Sequence, residues 1–342
     1  MSLLDWGWSS ALAERFTAHR KAGLAAARVV GASRGVYELE SEDGRARGEL
    51  SGRLEYTVES ALDLPVAGDW VAVTQTNPAL IIAVMERQSL FTRVVDDGRK
   101  QALAANIDVA FLVCGLDHDW NPRRLDRYLV LARDAGVTPV IVLNKRDLCD
   151  DPEAALRQAS GVAQAVLISA YQDDLAVVLG ALVGPRKTAA LLGSSGVGKS
   201  TIVNSLAGVE TQAIGAVRED DSRGRHTTTE RTLIRLPQNW LLLDMPGLRT
   251  VGISGGQDAV DDAFADIVKL AAGCRFANCS HTNEPGCAVL QSADPERLAH
   301  YRKLLREAAY QHRREDASAA RAEKERWKKI HYAMNRRPDK RG

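Results

Sequence analysis

No apolar run in this 342-residue sequence approaches the roughly 18 residues that a membrane-spanning helix needs. The first 22 residues also lack the basic segment followed by an apolar core that marks a secretory signal. We therefore expect a cytoplasmic protein without a membrane span.

Cysteine is scarce and odd in number: there are five, and three of them lie within residues 274–287. In a reducing compartment such clustering favours a metal site over disulfides.

Net charge is also small, but it is unevenly distributed. The formal net charge is +1, yet the segment from Arg297 onward holds fifteen Lys/Arg against six Asp/Glu, which gives it +9 and leaves −8 for the rest. Trp327, His331 and Tyr332 lie among these cations. Cations neutralise phosphates and aromatic faces stack on unpaired bases, so the pattern is typical of a nucleic-acid-binding element. A solvated helix face would have the same composition.

Length and composition predict more than one domain. Five short β-rich runs, separated by glycine and proline turns, predict a small barrel. The runs are 27–30, 36–39, 54–58, 69–74 and 80–84. From Ile107 strands alternate with helices, which predicts a mostly parallel sheet with its ligand site at the carboxyl ends of the strands. We divide the chain into a leader (1–24), the barrel (25–93), a nucleotide-binding domain (94–250), a Cys/His domain (251–310) and a basic C-terminal helix (311–342).

The strongest motif is a phosphate-binding loop of the pattern G-x-x-x-x-G-K-S at residues 193–200, between a predicted strand and a predicted helix. In this arrangement backbone N–H groups converge on the phosphates, Lys199 reaches the β- and γ-oxygens, and the Ser200 hydroxyl binds Mg²⁺. The sequence therefore predicts a nucleoside triphosphate site. Its predicted contacts are Gly193, Ser194, Ser195, Gly196, Val197, Gly198, Lys199, Ser200 and Thr201.

The base-reading motif N-K-x-D is present as Asn144, Lys145 and Asp147. The Asp147 carboxylate can accept both the N1–H and the exocyclic amine of guanine, a pair of donors that adenine lacks on that edge. About twenty residues later, Ser169-Ala170 follows another strand and offers the Ala170 N–H to the guanine O6. In Ras-like GTPases the base-reading motif comes last. Here it precedes the phosphate loop, which predicts a circularly permuted GTPase core.

The Mg²⁺ and γ-phosphate contacts are predicted further along the chain. Asp244-Met245-Pro246-Gly247 follows an apolar strand and supplies a carboxylate for a Mg²⁺-bound water and a glycine that senses the γ-phosphate. The run Gly-Arg-His-Thr-Thr-Thr at 224–229 lies between this motif and the phosphate loop. We take Thr228 as the second Mg²⁺ ligand, although the spacing fits Thr229 almost equally well.

The expected catalytic residues are Lys199, at the transferred phosphate, and His226. Leu248 stands where Ras-like enzymes place the glutamine that orients the attacking water, so we predict slow intrinsic hydrolysis. An imidazole can position water or accept its proton near neutral pH, which makes His226 the candidate within the chain. A surface contact is an equally good interpretation of His226.

A tetrahedral metal site is predicted by the spacing C-x4-C-x-H-x5-C. The predicted ligands are Cys274, Cys279, His281 and Cys287. Three thiolates and one imidazole fill all four positions of a Zn²⁺ ion and leave none open for water, so we expect a structural site.

These features together resemble the bacterial ribosome small-subunit-dependent GTPase A family. The resemblance rests on the permuted motif order, on Gln-Ala-Leu-Ala-Ala-Asn-Ile-Asp at 101–108, on the 224–229 run and on the Cys/His spacing, and it extends from Ala25 to about Tyr310. It implies a multidomain α/β protein with an N-terminal OB-fold barrel, a circularly permuted P-loop GTPase domain and a C-terminal helical zinc-binding domain. The family's proposed catalytic histidine falls on His226. Met245 departs from the family pattern, which more often has a small or polar residue before the proline.

Two functions remain open at this point. The resemblance implies a GTPase that binds the 30S ribosomal subunit and its 16S rRNA, is stimulated by that subunit, and couples GTP hydrolysis to late 30S maturation and to its own release. Its cofactors would be one structural Zn²⁺ and the Mg²⁺ that accompanies GTP. The alternative, which Leu248 keeps open, is a guanine-nucleotide-gated adaptor for RNA or protein whose turnover is incidental. We expect a monomer in either case.

Overall fold

The computed structural model describes residues 2–33, 35–94, 100–117, 120–208, 232–245 and 256–314. The leader contains a 3₁₀ helix (Leu3–Trp6) and two short helices, α1 (Ser10–Arg15) and α2 (Thr17–Lys21). Trp8 packs edge-on against Phe16 and Trp70, with ring centroids 5.7 and 4.8 Å away. The leader is therefore part of the folded body and covers one side of the barrel. None of the helices in the described ranges is long and apolar enough to cross a membrane.

The barrel is closed by five strands in the order β1-β2-β3-β5-β4. Its elements are β1 (Ala25–Ser33), β2 (Val36–Ser41), β3 (Gly44–Leu50), α3 (Gly52–Thr57), β4 (Trp70–Val73) and β5 (Ala79–Val84). The β3–β5 pair is parallel and the other pairs are antiparallel. Alternate residues such as Val29, Leu39 and Ile81 fill the interior.

One predicted strand of the barrel is wrong. The run 54–58 lies in and just after the helix α3, and the missing strand is β3, which the sequence analysis did not identify. The Ser51 hydroxyl accepts a hydrogen bond from the Leu54 N–H at 3.2 Å and so caps the helix. A capped turn outweighs the β propensity of the Tyr-Thr-Val sequence that follows.

The second domain is a six-stranded sheet in the order β10-β9-β8-β11-β13-β12, in which only β12 is antiparallel to its neighbour. A hairpin of β6 (Leu90–Val94) and β7 (Lys100–Ala105) precedes it. Its elements are β8 (Val109–Gly115), α4 (Pro122–Asp134), β9 (Thr138–Asn144), a 3₁₀ helix (Arg146–Leu148), α5 (Pro152–Ser160), β10 (Gln164–Leu167), α6 (Leu175–Val183), β11 (Thr188–Gly193), α7 (Lys199–Ala207), β12 (Leu233–Arg235) and β13 (Leu241–Asp244).

Both faces of this sheet are covered, as expected for a parallel sheet. On β8, Phe111 and its alternate neighbours pack in one core with residues of α6 and α7. Leu112 and its alternate neighbours pack in the opposite core with residues of α4 and α5. This alternation makes β8 a near-continuous apolar run that is buried on both sides.

The C-terminal region is helical and packs on α4. It contains α8 (Gln257–Ala263), α9 (Ala265–Ala271), α10 (Ala288–Ser292) and α11, which is described over 295–314. The basic segment from residue 315 onward lies outside the described residues.

The barrel meets the second domain at Arg28, a buried cation of β1. Its guanidinium donates to the Trp6 carbonyl at 3.1 Å, and to the Asn106 carbonyl and the Thr188 hydroxyl at 3.3 Å. It also lies 4.8 Å from the Trp70 ring centroid. Burial lowers the pKa of Arg28 to about 10, against the opposing effect of the nearby Asp108 and Asp69 charges. One side chain thus joins the leader, the barrel and β11 through neutral acceptors.

The C-terminal region meets α4 through charged groups instead. The buried Asp126 carboxylate of α4 accepts from Arg297 at 2.9 Å and from His300 Nδ1 at 2.8 Å, both on α11. Arg297 also pairs with Asp266 of α9 at 2.6 Å and lies 4.5 Å from the Phe264 ring centroid. We call Asp126, Arg297, His300 and Asp266 the α4–α11 ion cluster.

Candidate nucleotide site and Cys/His cluster

The predicted nucleotide motifs within the described ranges meet at one edge of the sheet. Asn144 ends β9, Ser169-Ala170 follows β10, Gly193 ends β11 and Asp244 ends β13. Because β9, β10, β11 and β13 all run parallel, their carboxyl ends lie side by side. The fold therefore brings together motifs that are as much as 100 residues apart in the chain.

Asn144 holds three of these loops together. Its carboxamide Nδ2 donates to the Val197 carbonyl of the phosphate loop at 2.9 Å, and its Oδ1 accepts from the Ala170 N–H at 3.1 Å. Asn144 is only 2% exposed. The predicted base motif therefore acts here as a brace, and the Ala170 N–H that we expected to face guanine O6 is directed to Asn144.

Lys145 joins the base loop to the phosphate loop a second time. Its backbone is in the left-handed region with φ 66°, and its ammonium donates to the Gly196 carbonyl at 2.7 Å. The ammonium also forms an ion pair with Asp117, two residues past the end of β8. Sequence reasoning missed Asp117. The available signal was its position just after a buried strand, at the same edge as the other motifs.

Asp173 links the base loop to the segment after β10 and was also missed. Its carboxylate pairs with Arg146 at 2.5 Å and accepts from the Ser169 N–H at 2.7 Å. Asp147 follows Arg146 in the same 3₁₀ helix and is exposed. The two residues before Asp147 are thus held by ion pairs and hydrogen bonds, while Asp147 itself is exposed.

The phosphate loop has the backbone conformation that its glycines predict. Gly196 and Gly198 have φ values of 82° and 97°. A Cβ on Gly198 would lie 2.3 Å from the Asn144 amide nitrogen, so only glycine fits beside the brace. The Lys199 ammonium donates to the Gly193 and Ser194 carbonyls at 2.7 and 2.5 Å, within the loop itself. Ser200 is exposed in the first turn of α7.

Arg124 of α4 reaches the same loop from outside the motifs, through a hydrogen bond between its Nη1 and the Ser194 hydroxyl. No motif in the sequence pointed to this residue. The remaining predictions, His226, Thr228, Thr229, Gly247 and Leu248, lie outside the described residues.

The four predicted metal ligands converge. Their ligand atoms all lie within 4.8 Å of one another. Cys274 Sγ is 3.8 Å from Cys287 Sγ, and His281 Nδ1 lies 3.6 and 3.5 Å from these two sulfurs. Backbone N–H groups of Val289 and Ala288 lower the pKa of the Cys274 thiol. This Cys₃His cluster could hold a metal ion.

Glu284 organises the loop that carries His281. Its carboxylate accepts from the backbone N–H groups of Ser280, Thr282 and Asn283 at 2.8, 2.9 and 3.1 Å. It also accepts from the Ser280 hydroxyl, and these hydrogen bonds lower the pKa of the carboxyl. His281 needs the support, since its φ of 57° is unusual for a residue with a side chain.

Comparison with known proteins begins with a family model described as RsgA GTPase, which matches residues 84–254. A protein from Opitutus terrae named small ribosomal subunit biogenesis GTPase RsgA is 41% identical over 359 residues, which cover 98% of each chain. A protein of the same name from Xylella fastidiosa (strain M23) is 47% identical over 250 residues, or 70% of this chain and 74% of its own.

Two solved structures have the same architecture. YjeQ from Thermotoga maritima matches with a TM-score of 0.63 at 24% identity, over 84% of this chain and 99% of its own. YloQ, described as a circularly permuted GTPase, matches with a TM-score of 0.60 at 22% identity, over 84% of this chain and 95% of its own. The predicted fold of an N-terminal barrel, a circularly permuted GTPase domain and a C-terminal region with a potential metal site is confirmed.

Proposed function

The chain belongs to the RsgA GTPase family, and we propose that it binds the small ribosomal subunit and couples GTP hydrolysis to late 30S maturation and to its own release. The observation that carries the GTP-binding part of this proposal is the set of hydrogen bonds by which Asn144 ties the base loop, the phosphate loop and Ala170 into one site. The name of the relatives, small ribosomal subunit biogenesis GTPase, supports the choice of partner.

Guanine is read by the exposed Asp147, which accepts its N1–H and exocyclic amine. Lys145 stands beside it, fixed by Asp117 and the Gly196 carbonyl. Adenine offers no such pair of donors, so it would leave the carboxylate desolvated and unpaired. Asn144 and Ser169 shape this pocket from behind.

Phosphates bind along residues 193–201. Gly196 and Gly198 have positive φ and form a turn, so backbone N–H groups of the loop and of the first turn of α7 can converge on the phosphates. Lys199 lies at the loop and transfers its hydrogen bonds to the β- and γ-oxygens. Ser200 and Thr228 would hold Mg²⁺, Asp244 would contact it through water, and Gly247 would bind the γ-phosphate. When bound, Mg²⁺ neutralises charge on the β- and γ-phosphates.

His226 is the proposed group that positions the attacking water, because Leu248 has no hydrogen-bonding side chain for that role. Intrinsic turnover is therefore slow, and binding to the small subunit completes the catalytic site.

Zn²⁺ is the proposed occupant of the Cys/His cluster. A tetrahedral ion with Zn–S bonds of about 2.3 Å and Zn–N bonds of about 2.0 Å has S–S edges of about 3.8 Å and S–N edges of about 3.5 Å. The separations among Cys274, His281 and Cys287, 3.8 Å between the sulfurs and 3.5 to 3.6 Å from sulfur to nitrogen, match these edges, and the Cys279 sulfur lies within 4.8 Å of the other ligand atoms. Four protein ligands leave no open position, so the ion shapes the loop and takes no part in hydrolysis.

The domain limits are proposed at residues 24, 93, 250 and 310, with the barrel and the basic helix 311–342 as further 16S rRNA contacts. The protein works as a cytoplasmic monomer.

Single-turnover GTP hydrolysis, measured with and without purified 30S subunits, tests the proposal. We expect slow turnover alone and a marked acceleration by 30S that Asp147→Asn abolishes at low GTP. An equal rate with and without 30S would favour the alternative that Leu248 suggests, a guanine-nucleotide-gated adaptor whose turnover is incidental.

A further inference from the structure

A cavity of about 360 Å³ lies between the N-terminal half of α4 and α11, and we call it the cationic cleft. Its lining includes Arg123, Arg124 and Arg127 from α4 and Lys303 from α11. Glu296 is the only carboxylate among its lining residues. A concave surface with this excess of positive charge concentrates the electrostatic potential and attracts an anion.

The ion pairs at the cleft are weak competitors for an anion. Arg123 pairs with Glu296 at 3.0 Å, but the two side chains are 61% and 79% exposed. Arg127 pairs with Glu307 at 2.8 Å, where both side chains are about one-third exposed. Exposed pairs of this kind contribute about 1 kcal/mol or less, so a phosphate can replace the carboxylates as a partner.

The cleft has no surface suited to a nucleobase. His300 is its only ring among the lining residues, and that ring is buried and bonded to Asp126. Phosphate is therefore the part of a nucleotide that fits the cleft.

Cationic and aromatic side chains continue from the cleft along α11. Lys303, Arg306, Tyr310 and Arg313 are all exposed and recur at helical spacing on one side of the helix. Ten residues of helix span about 15 Å, which is longer than one phosphate group. A phosphate polymer therefore fits this surface better than a free mononucleotide.

One cation of the cleft also contacts the nucleotide site. Arg124 hydrogen-bonds the Ser194 hydroxyl of the phosphate loop and is also one of the residues that line the cleft. An anion in the cleft would attract this guanidinium, and a displacement of Ser194 would change its hydrogen bond to Arg124.

We propose that the cationic cleft binds backbone phosphates of ribosomal RNA and that Arg124 couples this contact to the state of the phosphate loop. The proposal rests on the proposed function, because the RNA belongs to the proposed partner. Arg123 and Lys303 are binding residues in it, and Arg124 is a positioning residue.

The test of binding uses the full-length, metal-loaded protein and purified 30S subunits. The R123Q/K303Q variant removes two cations of the cleft. The matched control R133Q/R157Q removes two exposed arginines from α4 and α5 outside the cleft. The affinity for 30S in the presence of a non-hydrolysable GTP analogue is measured between about 50 and 200 mM salt.

The slope of log affinity against log salt is negative, and for R123Q/K303Q we expect its magnitude to decrease by about 1.5. Two phosphate contacts are lost, and each contributes about 0.7 to 0.9. The control is expected to keep the wild-type slope. Equal slopes for the cleft variant and the wild type, or an equal fall in the control, would overturn the proposal. Two GDP molecules bound per wild-type chain, against one in the cleft variant, would assign the cleft to a free nucleotide and overturn it too.

The coupling is tested by the ratio of 30S affinities with the GTP analogue and with GDP. We expect R124Q to bring this ratio close to one, while R123Q weakens both affinities and keeps the ratio. A wild-type ratio in R124Q would overturn the coupling. Failure of the proposed function would give a different result, because the wild type itself would then show no 30S-stimulated hydrolysis. A wild type that is stimulated, together with a cleft variant that binds 30S like the wild type, would contradict only the proposed role of the cleft.

Discussion

The GTPase domain is joined to its two neighbours by different chemistry. At the barrel, the buried Arg28 donates to neutral oxygens of Trp6, Asn106 and Thr188. At the C-terminal region, Asp126 faces two groups that carry or can acquire positive charge, Arg297 and His300. At the first junction the cation is hydrogen-bonded to neutral groups, with Asp108 and Asp69 nearby, whereas at the second junction the charged groups bond directly to one another. The C-terminal junction also adjoins the cationic cleft and Arg124, so the more interdependent junction is the one nearer the phosphate loop.

The largest expected difference between the two junctions follows from metal removal. A strong chelator should loosen residues 274–287 and the helices packed on them, because structural Zn²⁺ contributes on the order of 10 kcal/mol to small domains that depend on it. The barrel contains no residue of the Cys/His cluster and should be unaffected. Hydrogen exchange read by mass spectrometry should show faster exchange in α8–α11 and unchanged exchange in β1–β5. Equal loosening of both regions would contradict the comparison.

Removal of the carboxylate from the α4–α11 ion cluster should have the next largest effect. Asp126→Ala removes the carboxylate partner of the buried His300 and one of the two carboxylate partners of Arg297, and we expect a loss of about 3 kcal/mol in the free energy of unfolding. Glu153→Ala, at an exposed position on α5, is the control, with an expected change of about 0.5 kcal/mol or less. Urea denaturation measures both. A loss in D126A as small as that in the control would show that the cluster is not structurally important.

Arg28→Met should cost less. It removes the hydrogen bonds to three neutral acceptors, but it also removes the cost of burying a charge, so we expect a loss of about 2 kcal/mol. The variant Arg20→Met, at an exposed position in the leader, is the control and should be close to neutral. Urea denaturation of the two variants provides the comparison. If R28M destabilised the protein as much as D126A, the two junctions would be energetically alike.

The smallest effect is expected at Glu284. Glu284→Gln keeps the size of the side chain but removes the charge that accepts from three backbone N–H groups around His281. Residues that support metal ligands typically change metal affinity by 10- to 100-fold, and we expect about tenfold weaker Zn²⁺ binding. Competition with a chromophoric chelator measures this affinity, and Glu296→Gln on α11 is the control. Unchanged Zn²⁺ affinity in E284Q would leave the carboxylate with no positioning role.

Much of the fold and of the nucleotide edge could be predicted from sequence because the signals are local. Each motif follows an apolar strand, and parallel strands place their carboxyl ends together whatever the order of the chain. The Cys/His spacing was informative for the same reason, since four ligands within fourteen residues need little tertiary context.

The residues that were missed depend on contacts across the fold. Asp117 meets Lys145 across 28 residues, and Arg124 meets Ser194 across 70. No periodicity or spacing encodes such pairs, because they exist only after β8, β9 and β11 lie side by side. The run 54–58 failed for a more local reason, since the Ser51 cap decided between helix and strand.

The Asn144 brace does not depend on the order of the motifs along the chain. Its two hydrogen bonds hold the base loop to the phosphate loop through space, and neither depends on which loop comes first along the polypeptide. Because the Asn144 side chain joins these loops, the chain termini can lie at another point of the fold without moving the loops. A side chain at position 198 would collide with the Asn144 amide, so the identity of residue 198 and the hydrogen bonds of residue 144 are structurally coupled.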